Sequence, residues 1–155
     1  MTFAFETSLG RCTVVYGPNG ICSVRLGTRA AADRGPHSTA VRRLAADIAR
    51  AIRGEPVSFA KVKLATAGVP PFHADVYRAL LQIPWGVTLS YGELAARAGR
   101  PGAARAVGQA MARNRWAIVV ACHRVIRSDG SLGGYGGPDG LRLKRRLLDS
   151  EAIPR

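Results

Sequence analysis

Ser90-Tyr91-Gly92-Glu93 starts a short helix, Gly99 stops it, and Arg100-Pro101-Gly102 turns the chain into a second helix over Ala103 to Asn114. The start is an S-x-x-E capping box, in which serine and glutamate satisfy each other's free backbone donors. Gly99 fits the position just past a helix end, where a left-handed residue is needed. Ala106, Val107 and Ala110 give the second helix one apolar side. Two short helices joined by a Gly-containing turn read as a helix-turn-helix. A longer helix precedes them, with Phe72, Val76, Leu80 and Ile83 on one face and Pro84 ending it.

Gly68-Val69-Pro70-Pro71 is the strongest break in the chain. It predicts a first lobe over residues 1–69 and a second over 70–155. In the first, residues 3–26 read as strands, with Cys12–Tyr16 and Ile21–Leu26 flanking a Gly17-Pro18-Asn19-Gly20 hairpin turn. Val41, Leu44, Ala45, Ile48 and Ile52 recur at helical spacing up to Gly54. Val57 to Leu64 reads as a further strand. The expected fold class is α/β of the α+β kind: a small N-terminal antiparallel sheet with a helix, then a mainly helical, winged helix-turn-helix-like domain. Nothing in the first lobe demands chemistry.

The net charge is +13, from 23 Lys and Arg against 10 Asp and Glu. Such an excess favours a polyanionic partner, because neutralised phosphates release counterions. An Arg-rich composition reflecting codon usage is the plainer reading, but position favours the first. Leu94 to Ser128 holds no Asp or Glu, yet contains Arg97, Arg100, Arg105, Arg113, Arg115, Arg124 and Arg127. No apolar run approaches the roughly 20 residues that span a bilayer. The start, with Glu6, lacks a signal-peptide pattern. A cytoplasmic protein without a membrane partner is expected. Cys12, Cys22 and Cys122 are too few and too widely spaced for a disulfide framework. No metal or other cofactor is signalled, although Cys12 and Cys22 with His37 or His73 remain an open zinc alternative.

Trp116 to Ala121 is apolar and β-branched, so it should be buried and extended. Cys122-His123-Arg124-Val125 follows directly. A thiol reacts as thiolate, which a neighbouring base or positive charge must favour. Adjacent strand residues point to opposite faces, so a Cys122–His123 contact needs a bend. On local context alone, Cys122 reads equally well as a small buried hydrophobe. Beyond it, Ser128-Asp129-Gly130 is a turn, Gly133-Gly134-Tyr135-Gly136-Gly137 a loop that lets backbone approach a ligand, and a last helix runs from about Gly140 to Glu151.

With these blocks in order, the sequence resembles the O6-alkylguanine-DNA alkyltransferases (methylated-DNA–protein-cysteine methyltransferases). The likeness rests on Ile83-Pro84-Trp85-Gly86, Ser90-Tyr91-Gly92-Glu93-Leu94-Ala95, Pro101-Gly102-Ala103-Ala104-Arg105-Ala106-Val107-Gly108 and Asn114. Cys122-His123-Arg124-Val125-Ile126, Ser128-Asp129-Gly130, Gly133-Gly134-Tyr135 and Lys144…Glu151 complete it. It covers about residues 70–151 and the first lobe only in outline.

The resemblance implies DNA repair by direct reversal. An alkyl group would pass from O6-alkylguanine in double-stranded DNA to Cys122, with base flipping and irreversible self-inactivation; O4-alkylthymine is a second candidate substrate. It implies His123 as base through a bound water, Glu151 orienting it, and Asn114 holding the turn around the thiol. Tyr91 would donate toward the base as charge builds. Val125, Tyr135, Gly136 and Ser128 would contact the substrate. Arg105 would fill the stack on a helix whose Ala103, Ala104 and Gly108 let it approach the minor groove, with Arg113 also on DNA. A monomer is implied, with clustering on DNA left open.

Without the resemblance, Tyr91 fits a helix cap, Tyr135 the core, Glu151 a solvated last turn and Arg105 a wet helix face. The pattern also departs from the family, which usually carries proline where Arg115, Ala117 and Ala121 stand. The loop Gly136 to Gly140 is longer than usual by about two residues. Two other functions remain: a lesion sensor that binds flipped alkylguanine without repairing it, and a winged-helix regulator with a structural Cys122.

Overall fold

The computed structural model describes residues 1–27, 33–136 and 139–152. Three strands, β1 (Thr2–Thr7), β2 (Gly10–Gly17) and β3 (Gly20–Arg25), form an antiparallel sheet in that order. Thr2 lies opposite Val15, and Val14 opposite Val24. Alternation along β2 puts Cys12, Val14 and Tyr16 inward, where each is buried. The predicted hairpin is present, with Gly17 paired to Gly20. Helix α1 (Thr39–Ile52) is capped by Ser38, whose hydroxyl accepts from the Val41 amide, and buries Val41, Leu44, Ala45, Ile48 and Ile52.

Val57 to Leu64 is not a strand. Pro56 and Val57 begin an irregular segment that turns at Ala60–Lys61, and only Leu64 makes a bridge, to Ile21. Phe59 alone in this run is buried. A segment with one anchored side chain and lysines at 61 and 63 gains little from a full ladder.

The second half begins with α2 (Pro71–Leu81), its proline at the first turn where no amide partner is needed. A two-residue strand β4 (Leu89–Ser90) leads into α3 (Tyr91–Arg97). Both capping-box bonds form: Glu93 N–H donates to Ser90 Oγ at 3.1 Å, and Ser90 N–H to Glu93 Oε2 at 2.7 Å. Gly99 takes φ +85°, as a C-terminal stop requires. Helix α4 (Ala104–Ala112) is shorter than the sequence suggests at both ends. Strand β5 (Val125–Ile126) pairs in parallel with β4, Leu89 opposite Val125 and Ser90 opposite Ile126. Helix α5 (Gly140–Glu151) closes the fold. No helix among the described residues is long and apolar enough to cross a membrane.

Trp116 joins the two halves. It is fully buried, donates from Nε1 to the Ile21 carbonyl at 2.6 Å and meets the Tyr77 ring edge-on at 5.3 Å. Beside it, Val24 N–H donates to the Arg115 carbonyl at 2.8 Å and Ala117 N–H to the Val24 carbonyl at 3.4 Å. The proline that the resemblance leads one to expect at position 117 could make no such bond. Arg115, the other departure here, donates to the carbonyls of Ala65 and Ala67 at 3.3 and 3.4 Å.

Candidate active site

The apolar run before Cys122 is buried as expected but folded into turns rather than extended. Val119 N–H donates to the Ala117 carbonyl, Val120 to that of Trp116, and Cys122 to that of Val120. Ile118 sits at φ +70°, an unusual conformation for a β-branched residue. Burial alone does not distinguish a strand from a packed turn, which is why the apolar pattern misleads. Asn114, just past α4, staples this loop. Its Oδ1 accepts from Trp116 N–H and its Nδ2 donates to the Val120 carbonyl, both at 2.9 Å. The loop delivers Cys122 to the first position of a 3₁₀ turn, Cys122–Arg124, which supplies the bend that the Cys-His dipeptide requires.

His123 is 2% exposed, and its Nε2 meets Glu151 Oε1 at 2.6 Å. Glu151 is also held by Arg124, which donates from Nε to Oε2 at 2.8 Å and from Nη2 to Oε1 at 3.0 Å. The third arm of Arg124 donates to the Ile83 carbonyl at 2.9 Å, and its guanidinium lies 5.5 Å from the Trp85 ring centre. Burial works to raise the Glu151 carboxyl, but hydrogen bonds from His123 and Arg124 outweigh it and hold the group at about 2. Burial pushes the His123 imidazole below its usual value, against the pull of Glu151. Nδ1 of His123 is buried and has no hydrogen-bond partner among the described protein groups.

Burial also raises the Cys122 thiol, while the side chains of Asn114 and Tyr135 and the charge of Lys144 favour the thiolate. The residue as a whole is only partly buried, so it remains reachable from one side. Lys144 has no exposed surface, and its ammonium donates to the carbonyls of Val125, Leu132 and Gly134. All three donors are used, and they tie the glycine-rich loop to the strand that follows the Cys-His-Arg turn. Tyr91, the first residue of α3, packs on that loop. A Cβ on Gly133, at φ +70°, would stand 2.9 Å from the Tyr91 hydroxyl. Burial raises both Tyr91 and Tyr135 above the usual phenol value.

Cys122 opens into a cavity of about 670 Å³, within the range of small-molecule sites. Tyr91, Asn114, Gly134, Tyr135 and Gly136 line it, with Gly108, Met111 and Ala112 of α4 and Val24, Arg25 and Leu26 at the end of β3. Arg105, Gly108 and Ala112 are spaced to share one helix face. Arg105 is exposed beyond the cavity wall on that face, and a Cβ on Gly108 would meet nothing within 4 Å. Ala103 caps α4, Ala104 begins it, and Arg113 is exposed at its end.

Other expected residues fall differently. Ser128 lies in an exposed turn and does not line the cavity. Val125 is buried, and its carbonyl already accepts from Lys144. Gly137 and Pro138, in the lengthened loop, lie outside the described residues. Among the described residues, no three His, Cys, Asp or Glu side chains gather as a metal site, so Cys12 and Cys22 form none with His37 or His73. Sequence reasoning assigned Arg124 and Lys144 no role. Lys144 did leave a signal, because Gly140, Lys144, Leu147 and Glu151 form one helical stripe, and that stripe is the buried one.

The comparisons with known proteins agree on one family. Residues 71–153 match the model of the 6-O-methylguanine DNA methyltransferase DNA-binding domain. A methylated-DNA–protein-cysteine methyltransferase of Mycobacterium leprae is 53% identical over 98 residues, 63% of this chain and 57% of that protein. The protein of that name from Methanothermobacter thermautotrophicus is 37% identical over 142 residues, 90% of this chain and 78% of the relative. The match spans about half the length of the mycobacterial relatives. A structure of the Mycobacterium tuberculosis OGT in complex with DNA superposes with a TM-score of 0.77 at 39% identity, covering 97% of this chain and 91% of that one. This chain belongs to the 6-O-methylguanine DNA methyltransferase family.

Proposed function

We propose that this chain repairs DNA by moving an alkyl group from O6-alkylguanine onto Sγ of Cys122, once per molecule. The observation that carries the reading is the placement of Cys122 in a base-sized cavity, next in sequence to a histidine whose far nitrogen is locked by Glu151. His123 Nδ1 takes the thiol proton through a bound water, and Glu151 fixes the ring for it. The thiolate attacks the alkyl carbon, the C–O6 bond breaks, and its electron pair passes to the base. Tyr91, protonated because burial holds its phenol high, donates toward that developing charge. The thioether formed is stable, so the protein does not turn over.

Reaching the cavity requires an extruded nucleotide, at a cost of a few kcal/mol. Arg105, exposed on the face of α4 that lines the cavity, fills the vacated stack, while Ala103, Ala104 and Gly108 let the helix approach the groove and Arg113 adds a phosphate contact. Tyr135 and Gly136 hold the base, with Val125 and Ser128 outside this first ring. The lobes over 1–69 and 70–155 act together, and the protein works on double-stranded DNA as a monomer, with O4-alkylthymine a second substrate.

Mass spectrometry after incubation with an O6-methylguanine duplex tests the reading. One methyl should appear on the peptide that holds Cys122 and should vanish in Cys122→Ser. An unmodified protein that still prefers the lesion would identify a sensor. An unmodified protein with sequence preference alone would identify a regulator.

A further inference from the structure

Of the described residues that line the Cys122 cavity, Arg25 alone carries a formal charge. It is exposed at the end of β3, and no described Asp or Glu pairs with it. Its backbone is not free to drift, because Val24 is bonded on both sides to the segment Arg115–Ala117. The root of the Arg25 side chain is thereby fixed at one part of the wall, contributed by the half of the molecule in which the sequence shows no chemistry.

The rest of that wall is apolar: Val24, Leu26 and Ala117. In the transfer reading the base lies against Tyr91, Tyr135 and the glycine loop, and the attacked carbon touches Sγ. Whatever the substituent carries beyond that carbon must occupy the space the base leaves, toward β3. A neutral alkyl tail would find the apolar residues there. A carboxylate would meet the thiolate's negative charge at short range, which disfavours attack unless a cation offsets it.

We propose that Arg25 is a specificity-determining residue, the counter-ion for a carboxylate on the O6 substituent, so that O6-(carboxyalkyl)guanine is a substrate class of this protein. The planar fork of arginine matches a carboxylate in two hydrogen bonds. The bond changes are those of methyl transfer: S–C forms, C–O6 breaks, and the carboxylate remains on the cysteine as an S-carboxyalkyl group. The proposal rests on the transfer reading.

The test compares single-turnover transfer from duplexes containing O6-methylguanine and O6-carboxymethylguanine. In Arg25→Gln the carboxymethyl-to-methyl rate ratio should fall by about tenfold, as loss of one charge-assisted pair implies, and further in Arg25→Glu. An unchanged ratio overturns the proposal; if both rates drop together, Arg25 serves the DNA phosphates instead. A wild-type protein that transfers methyl but not carboxymethyl also overturns it. Failure of the wild type on methyl as well would sink the transfer reading itself.

Discussion

Arg124 and Glu151 meet in two hydrogen bonds, at 2.8 and 3.0 Å, with side chains only 7% and 6% exposed. The same Glu151 oxygen that accepts from Arg124 Nη2 also faces His123 at 2.6 Å. The carboxylate that orients the imidazole therefore has a resident cation of its own. Burial is the main cause that lowers His123's affinity for a proton, and the Arg124 charge adds to it against the pull of Glu151.

Glu151→Gln should be costly twice over. Removing one member of a buried ion pair strands the other, at roughly 3–5 kcal/mol, and the imidazole loses its orienter. We expect a clear drop in melting temperature together with a transfer rate lowered by about 100-fold or more. A variant that melts like the wild type would show that Arg124 and His123 do not depend on this carboxylate.

Acid should unfold the protein through the same group. The folded-state carboxyl is held at about 2, below its ordinary value of 4.5, so its stabilisation is present above the ordinary value and is lost as pH falls toward the folded one. Urea midpoints measured from neutral pH downward should decline steeply across that window in the wild type and less so in Glu151→Gln.

Transfer should persist into mild acid. Burial holds His123 below the usual 6.5, so the ring remains an unprotonated base as pH drops through that value. Single-turnover rates taken from about pH 8 to about pH 5.5 should show no fall centred on the free-imidazole value. His123→Ala should be slower by about 100-fold at neutral pH and should recover as base deprotonates the thiol directly.

Gly133→Ala places a methyl where the Tyr91 hydroxyl already stands 2.9 Å away, at a backbone φ of +70°. We expect slower transfer with Cys122 still titratable by a small thiol reagent. An unchanged rate would show that the Tyr91 hydroxyl is not needed where it sits.

Arg105→Ala should slow transfer from duplex DNA while sparing reaction with a free O6-alkylguanine base. Equal loss on both would mean that Arg105 supports the fold rather than base extrusion. Raised salt should weaken duplex binding steeply, given the acid-free basic stretch from Leu94 to Ser128.

Local signals were the readable ones. The Ser90–Glu93 box, the Gly99 stop and the Gly17–Gly20 hairpin each depend on a few adjacent residues, and each lies where the pattern puts it. The segments 57–64 and 116–121 were misjudged because apolar, β-branched content reports burial, and burial also suits a packed turn. The site is a tertiary product. Nothing near Arg124 in sequence announces Glu151, 27 positions away, and Lys144 looks like one more cation on a basic helix until its stripe is traced. Arg25 was missed for the same reason, because a strand end becomes a cavity wall only when the two halves meet.

The smallest sheet in the molecule carries a consequence for how this chain can vary. Two rungs, Leu89 to Val125 and Ser90 to Ile126, tie the two residues before Tyr91 to the two after the Cys-His-Arg turn. They work as a ruler between Tyr91 and Cys122. Deleting or adding one residue between Leu89 and Tyr91, or between Cys122 and Ile126, would slide the ruler by roughly 3.3 Å and aim tyrosine and sulfur past each other, so length changes should be tolerated in the loops outside these two segments and nowhere within.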